Sequence, residues 1–330
     1  MGMIGSGVLE RYRDRLPVGP STPALSLGEG STPLIRSRVL GERLGVELYF
    51  KCEGINPTGS FKDRGMVVAV AKALEDGAEG VICASTGNTA ASAAAYAACA
   101  GITAVVLVPA GAIAAAKLAQ ARVAGARVLE VRGSFEDAFE GSIELATRGL
   151  FVLVNSVNPH RIEGQKTAAF ELVEQLGSAP DLLALPYGGG GNTCAYTKGF
   201  DEEGAAPRVI CGEATERATT LASAIRIVDP AHLAEISEIL ARGRTEIVAL
   251  PDSEITAAWL DLAHSEGIFC EPSSAAGLAA LAHTSLEPGS TVVCVLTGHG
   301  LKDPSAVEGR TQEPIAVEPT AEAILAAVRS

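Results

Sequence analysis

The sequence predicts an α/β protein with two open, mainly parallel sheets covered by helices. Short apolar segments alternate with longer segments of helical periodicity along most of the 330 residues. Several apolar segments, such as GVICAST and TVVCVLT, are hydrophobic throughout, which is typical of parallel strands buried on both faces. The length is sufficient for two sheets, each with its own core.

Each predicted element follows from this alternation. In the first half of the chain, the predicted strands are VELYFKCEG, GVICAST, TAVVLVP, RVLEVRG and LFVLVNS. The helices between them are KDRGMVVAVAKALEDG, NTAASAAAYAACAG, AAAKLAQARVAGA and FEDAFEGSIELATRG. The second half adds the helices RIEGQKTAAFELVEQLG and SEITAAWLDLAHSEG and the strands DLLALPYGG, RVICGEA, TEIVAL and STVVCVLTGHG. The tail ends in a short amphipathic helix that is expected to pack as an appendage.

Composition excludes several classes of function. The net charge of −13 argues against a nucleic-acid partner and against an anionic membrane surface. No apolar stretch reaches the ~18 residues of a membrane span, and the N-terminus lacks the apolar core of a signal peptide. The seven cysteines contain no C-x-x-C pair, which indicates reduced thiols in a cytoplasmic protein. The five histidines show no metal-binding spacing, so no metal site is predicted.

A glycine run follows one predicted strand and precedes a helix, in PYGGGGNTCAYTKG at 186–199. Ligands bind at the carboxyl ends of parallel strands, where helix N-termini present free N–H groups. Glycine also allows the backbone to approach an anion closely. The run contains neither a nucleotide P-loop motif nor a dinucleotide fingerprint. A flexible turn is the alternative, but the position favours a cradle for a phosphate.

Two further strand ends carry hydrogen-bonding residues. The segment ASTGNTAAS at 84–92 contains more small polar residues than a helix cap needs, so a cap and a carboxylate site are equally good interpretations. Thr297 follows the strand in VCVLTGHGLKD and could bond a ring nitrogen, although an ordinary turn explains this segment as well.

The segment NPTGSFKDRG at 56–65 contains the most informative lysine. Ser60 is the predicted N-cap of the following helix, so Lys62 lies in its first turn, where the helix dipole disfavours a cation. A lysine that forms a Schiff base needs such a lowered pKa. The alternative interpretation is that Lys62 is an ordinary surface lysine. An amine for a Schiff base, a phosphate cradle, a hydroxyl for a ring nitrogen and a carboxylate site together match pyridoxal phosphate acting on an amino acid.

These segments resemble the threonine synthase family, in the fold-type II, tryptophan-synthase-β-like group of pyridoxal-phosphate enzymes. The resemblance is carried by NPTGSFKDRG, ASTGNTAASAAAYAA, VNSVNPHRIEGQKTAAFE, EGIFCEPSSAA and LTGHGLKDP. It extends over most of the chain, from LGEGSTPL to GHGLKDP. It implies a pyridoxal 5'-phosphate enzyme that converts O-phospho-L-homoserine and water into L-threonine and phosphate.

The resemblance also implies roles for individual residues. Lys62 would be the catalytic residue and would hold the cofactor as a Schiff base, with Asn88 on the cofactor's 3-hydroxyl and Thr297 at its pyridine nitrogen. The cofactor phosphate would be held by Gly188, Gly189, Gly190, Gly191 and Asn192. The substrate carboxylate would be bound by Ser85, Thr86 and Thr89. The substrate phosphate would be bound by Lys117, Ser156 and Arg161.

The same resemblance implies a large cofactor-binding domain from residues 1–59 and 156–330, a small substrate-binding domain from 60–155, and a homodimer in the cytoplasm. Two departures from the family pattern are present: the phosphate loop reads GGGGN where the family often has G-N-A-G-N, and the segment at 200–220 is short. Three alternatives therefore stay open. They are a serine/threonine dehydratase or cysteine-synthase-like enzyme, a paralogue acting on another phosphorylated or phosphonate amino acid, and a cofactor-binding subunit without turnover.

Overall fold

The structure is a computed structural model that describes residues 7–111, 115–311 and 313–329, with side chains omitted for 115–117. Its strands are β1 (Leu34–Arg36), β2 (Glu47–Cys52), β3 (Gly80–Ala84), β4 (Thr103–Pro109), β5 (Arg127–Val131), β6 (Val152–Leu153), β7 (Leu182–Pro186), β8 (Arg208–Ala214), β9 (Thr245–Leu250) and β10 (Thr291–Leu296). All the strands predicted from the sequence are present, and β1 is an additional one.

The first eight α-helices are α1 (Val8–Arg11), α2 (Leu40–Leu44), α3 (Lys62–Glu75), α4 (Asn88–Ala100), α5 (Ala115–Val123), α6 (Phe135–Thr147), α7 (Pro159–Gln165) and α8 (Thr167–Leu176). They are followed by α9 (Gly191–Glu202), α10 (Leu233–Ala241), α11 (Asp252–Asp261), α12 (Ala276–Ala280) and α13 (Ala321–Arg329). The single helix predicted at RIEGQKTAAFELVEQLG is divided between α7 and α8 at Lys166.

The strands form two sheets, which confirms the predicted fold class. A six-stranded sheet has the order β1-β2-β10-β7-β8-β9, and a four-stranded sheet has the order β5-β4-β3-β6. All pairings are parallel except that of β1 with β2. Strand β8 lies within the short segment at 200–220, so this segment supplies an interior strand of the larger sheet.

The four-stranded sheet comes from residues inside 60–155, the predicted small domain. Helix α3 packs in a common core with α4 and the strands of this sheet, and Phe170 of α8 joins the same core. Helix α3 also packs closely against α7, which lies outside residues 60–155. The domain boundaries therefore stay a prediction.

Helices α3 and α7 touch at two glycines. A Cβ atom at Gly65 would overlap the backbone carbonyl oxygen of Arg161, and a Cβ atom at Gly164 would overlap the carbonyl oxygen of Arg64. Because only glycine allows this approach, the two helices cross in backbone contact. The crossing brings the first turn of α3 close to Arg161.

The C-terminal helix differs from its expected packing. None of the residues of α13 is buried, and Val328 is 78% exposed. The amphipathic pattern therefore predicted the helix correctly but not its contacts. In the described ranges, no helix is both long enough and apolar enough to cross a membrane.

Candidate active site

The segment before Lys62 is held against the end of β10 by backbone hydrogen bonds. The Phe61 N–H donates to the Thr297 carbonyl over 3.0 Å, and Ser60 pairs with Gly298 as an isolated antiparallel bridge. Two segments that the sequence identified separately, one with Lys62 and one with Thr297, are therefore neighbours at the carboxyl edge of the six-stranded sheet.

The prediction that Ser60 caps this helix is wrong. The N-cap position is Phe61 and makes no side-chain cap, while the Ser60 hydroxyl is buried and has no hydrogen-bond partner among the described residues. The turn is held instead by Asp63, whose carboxylate accepts hydrogen bonds from the Thr58 N–H at 2.7 Å and from the Thr58 and Ser92 hydroxyls at 2.6 Å each. A carboxylate in the first helical turn also suits the positive end of the helix dipole.

The pKa of Lys62 is lowered, in the direction that the sequence predicted, and its causes are burial and a neighbouring charge. The residue is half-buried, and the burial of its amine lowers the pKa to about 7. The nearby positive charge of Arg161 lowers this pKa further, whereas the negative charge of Glu271 raises it. Burial is the larger cause, because removing an ammonium group from water disfavours its charged form. An amine with this pKa is substantially neutral near pH 7, as a nucleophile or general base must be.

Arg161 is fully buried and largely unpaired. Its Nη1 donates to the Val154 carbonyl oxygen over 2.7 Å, but Nε and Nη2 have no partner among the described residues. Burial lowers the pKa of its guanidinium to about 10. A buried charge without a counter-ion is costly, and a guanidinium with two free donors is suited to bind an anion such as a phosphate.

The glycine run forms a tight cradle between β7 and α9. Gly190 has a φ of 84°, and a Cβ atom there would lie 2.9 Å from Ile236 Cγ1. At Gly188 the nearest atoms to a Cβ would be 3.3 Å away, and at Gly189 the nearest would be 3.5 Å away. Asn192 has a buried Nδ2 with no partner among the described residues, so a donor is available beside the N-terminus of α9.

His232, which the sequence analysis did not identify, supports this cradle. Its ring would lie 3.4 Å from a Cβ atom at Gly191, and its Nε2 lies 3.0 Å from the Ser156 carbonyl oxygen. Because a carbonyl oxygen can only accept a hydrogen bond, this pairing places the ring proton on Nε2. His232 therefore connects the glycine cradle to the segment that precedes Arg161. Its isolated position in the sequence gave no signal of this contact.

The polar segment at the end of β3 lies at the N-terminus of α4. Ser85, Thr86 and Thr89 are half-buried, and the Ser85 hydroxyl accepts a hydrogen bond from the Gly87 N–H over 3.2 Å. Part of this segment therefore serves as a local turn. Asn88 faces another element: its Nδ2 lies 3.2 Å from each carboxyl oxygen of Glu271.

The Thr297 hydroxyl is buried next to another hydroxyl. Its Oγ1 lies 2.9 Å from Ser274 Oγ, and Ser274 Oγ also accepts a hydrogen bond from the Gly298 N–H over 2.9 Å. Ser274 belongs to the EPSSAA stretch that supported the family resemblance, although no role was predicted for it. Lys117 lies in α5, but its side chain is outside the described part of the chain.

A buried ionic network lies on the opposite side of α3. Arg64 donates to both Glu53 and Glu171, with nitrogen–oxygen distances of 2.6–3.0 Å. The Lys51 amine lies 2.8 Å from Glu171. All four side chains are buried. The two positive and two negative charges of this network balance one another, so the network fixes the first turn of α3. The positive charges of Lys62 and Arg161 are not balanced by it.

The arrangement fits a phosphorylated cofactor with a ring and an aldehyde. A strand–glycine–helix cradle with an unpartnered Asn192 amide can hold a phosphate, and a partly neutral lysine can bond an aldehyde carbon. The unpartnered nitrogens of Arg161 can bind a second anion. A site with these groups suits pyridoxal phosphate together with an anionic substrate.

Comparison with known proteins gives consistent results. Residues 25–298 match the family of pyridoxal-phosphate dependent enzymes. The chain is 50% identical to the threonine synthase of Halalkalibacterium halodurans over 320 residues, covering 91% of this chain and 90% of that protein. It is 47% identical to the threonine synthase of Mycobacterium tuberculosis over 340 residues, covering 96% and 94%. A solved structure of O-ureido-L-serine synthase superposes with a TM-score of 0.75 and 20% identity, covering 90% of this chain and 97% of the other, and this likeness shows the fold alone.

Proposed function

Because the chain belongs to the threonine synthase family of pyridoxal-phosphate dependent enzymes, we propose that it converts O-phospho-L-homoserine and water into L-threonine and phosphate. The chain is an enzyme, a carbon–oxygen lyase, and pyridoxal 5'-phosphate is its cofactor. Within the site, one observation carries the choice of substrate: Arg161 is buried and has two guanidinium nitrogens without a partner among the described residues. An enzyme that eliminates water from serine or threonine has no need of such an anion site.

We propose that the cofactor is held by the groups at the strand ends. Lys62 binds it covalently, Asn88 donates to its 3-oxygen, and Thr297 faces its ring nitrogen. The backbone of Gly188, Gly189, Gly190 and Gly191 binds its phosphate together with Asn192. Pyridoxal phosphate supplies an electron sink that allows protons to be removed from an attached amino acid.

The residues around the substrate have distinct tasks in this proposal. Ser85, Thr86 and Thr89 hold the substrate carboxylate beside the N-terminus of α4. Arg161 binds the phosphate and stabilises its charge as it departs, with Lys117 and Ser156 as further ligands. The amine of Lys62, released when substrate binds, moves protons at the substrate carbons, which its pKa of about 7 allows near neutral pH.

Three features of the whole protein belong to the same proposal. The chain acts as a homodimer in the cytoplasm, and the division into 1–59 with 156–330 and 60–155 lets the two parts close over the substrate. The cytoplasmic location is supported by the seven cysteines, which are all free thiols. The homodimer and the closure are supported by the family resemblance.

The decisive experiment compares products from matched substrates. The cofactor-loaded protein is incubated with O-phospho-L-homoserine, and phosphate and L-threonine are quantified. Parallel reactions with L-serine and L-threonine are assayed for pyruvate and 2-oxobutyrate. We expect equal amounts of phosphate and threonine from the first reaction, and at least about 100-fold slower keto-acid release from the others.

Two results would contradict the proposal. Fast keto-acid release without turnover of O-phospho-L-homoserine would favour a dehydratase. A visible cofactor band that responds to amino acids without any product would favour a binding subunit. Lys62→Ala is the control for covalent attachment, since it must lose the band that the cofactor forms through this amine.

A further inference from the structure

Glu271 is a buried acid beside the proposed cofactor site. Its side chain is only 3% exposed, and its backbone N–H donates to the Gly298 carbonyl over 3.0 Å. A Cβ atom at Gly298 would overlap the Glu271 carboxyl group. The carboxyl group therefore fills the space left by this glycine, directly after Thr297.

The hydrogen-bonding partner of this carboxyl group is an amide and not a cation. Asn88 Nδ2 lies 3.2 Å from both carboxyl oxygens. Within the described residues, no lysine, arginine or histidine forms an ion pair with Glu271. Burial is the main cause and raises the pKa of Glu271, whereas the hydrogen bond from Asn88 lowers it; the charge of Lys302 also lowers it, and that of Asp303 raises it.

The charge of Glu271 also acts on Lys62, where it raises the pKa of the amine against the effect of burial. Lys302 is the other nearby cation, and its amine donates to the Thr58 carbonyl at 3.0 Å and to Gln120 at 2.6 Å.

We propose that Glu271 is a positioning residue, whose carboxyl group fixes the Asn88 amide so that its second N–H faces the cofactor. This inference rests on the proposed role of Asn88. An amide has two N–H donors, and a carboxyl oxygen that accepts from one of them orients the other.

The test uses Glu271→Gln and Glu271→Ala in the cofactor-loaded protein without substrate. Glu271→Gln keeps an acceptor for Asn88 but removes the charge. It should bind the cofactor within about threefold of the original protein, because its amide oxygen still accepts from Asn88. Glu271→Ala removes the acceptor, so it should weaken cofactor binding at least about tenfold.

Two controls make the result specific. Glu29→Gln changes a carboxyl group that is equally buried but bonded to Val8 and Tyr96, and it should leave cofactor affinity unchanged. In an Asn88→Ala background, Glu271→Ala should cause no further loss of cofactor affinity, because the amide it orients is absent. Circular dichroism of each variant excludes unfolding as the cause.

A loss of cofactor affinity in Glu271→Gln as large as that in Glu271→Ala would overturn the proposed role of the acceptor. Full cofactor affinity in Glu271→Ala would overturn the positioning of Asn88. Neither measurement includes a substrate, so both are independent of which amino acid is turned over. If the original protein formed no visible band with the cofactor, the roles assigned to Lys62 under the proposed function would fail instead.

Discussion

Arg161 lies close enough to Lys62 to lower the pKa of its amine, and neither cation forms an ion pair with a carboxylate among the described residues. Lys62 lies in the first turn of α3, and Arg161 lies in α7. Two neighbouring cations destabilise one another, so the site has a net attraction for anions. A phosphorylated amino acid supplies the missing charge.

Lys62→Met should stabilise the cofactor-free protein at low pH. The pKa of Lys62 falls from its ordinary value of 10.5 to about 7 in the folded chain. Below pH 7 the folded protein carries the full cost of the buried charge; between pH 7 and 10.5 that cost disappears, because the folded amine releases its proton while the unfolded one keeps it. We expect the variant to be more stable by about 5 kcal/mol at pH 6 and by less than about 1 kcal/mol at pH 10.

Urea unfolding at pH 6, 8 and 10 measures this difference. Lys198→Met is the control, because Lys198 is 44% exposed and pairs with Glu163 on the surface. Its effect on the free energy of unfolding should not depend on pH in this range. A difference for Lys62→Met that is also constant with pH would show that the amine is not destabilised by burial.

Arg161→Gln should weaken binding of the phosphorylated substrate. Loss of a buried charge that bonds a phosphate raises KM at least about 30-fold, and it also raises the pKa of Lys62 above about 7, because the neighbouring positive charge is gone. Steady-state kinetics and titration of the amine in the cofactor-free protein measure the two effects. Arg148→Gln, at an exposed pair with Glu144, should change neither. Values of both kcat and KM that stay unchanged in Arg161→Gln would contradict the assignment of Arg161 to the phosphate.

Gly190→Ala should lose cofactor affinity, whereas Gly189→Ala should retain it. Gly190 has a positive φ and lacks space for a side chain, since Ile236 would lie 2.9 Å from the new Cβ. Gly189 has no positive φ, and its nearest neighbour is 3.5 Å away. Titration of the cofactor-free proteins with pyridoxal phosphate should show a Kd at least about tenfold higher for the first variant only. Equal effects of the two changes would mean that the cradle does not hold the phosphate.

His232→Leu should weaken both cofactor and substrate binding. It removes the hydrogen bond to the Ser156 carbonyl and the ring that supports the glycine cradle. We expect the Kd of the cofactor and the KM of the substrate each to rise about tenfold, with kcat less affected. His232→Gln can still donate from its amide nitrogen, so it should bring both the Kd of the cofactor and the KM of the substrate close to their original values. Failure of glutamine to restore them would favour a role in packing alone.

Arg64→Met should destabilise the protein strongly. It leaves Glu53 and Glu171 buried without their main cation, which costs about 3–5 kcal/mol. Arg36→Met is the comparison, since Arg36 also pairs with a glutamate, Glu47, but is 64% exposed, and such pairs contribute less than about 1 kcal/mol. The free energy of unfolding in urea distinguishes them. Similar values for both would mean that the buried network is not the support of α3.

Much of the fold could be predicted because parallel strands buried on both faces have a distinctive sequence pattern. Strand β1 could not, since it has only three residues and its burial is low. The break at Lys166 also left no signal, because α7 and α8 form one continuous helical pattern. The network of Arg64 was hidden because Lys51 and Glu53 lie at the end of an otherwise apolar strand, and their partners come from distant segments.

Candidate site residues could be proposed from the sequence where a residue type conflicts with its local position. Lys62 at a helix N-terminus and glycines at a strand end are conflicts of this kind. Glu271, His232 and Ser274 could not be identified in this way, because each is ordinary in its own segment and acquires its role only through contacts across the fold. For Ser60 the local rule was misleading, since its backbone pairs with Gly298 and the segment continues into the helix through Phe61.

The glycine contact between α3 and α7 has a consequence for the behaviour of the site in salt. Dissolved ions screen the forces between charges over about 10 Å at 0.1 M, but they do not change the repulsion between touching backbone atoms. The spacing of Lys62 and Arg161 is set by such atoms at Gly65 and Gly164. Raising the ionic strength therefore weakens the long-range attraction of the site for its substrate, while the contact between the two helices stays the same.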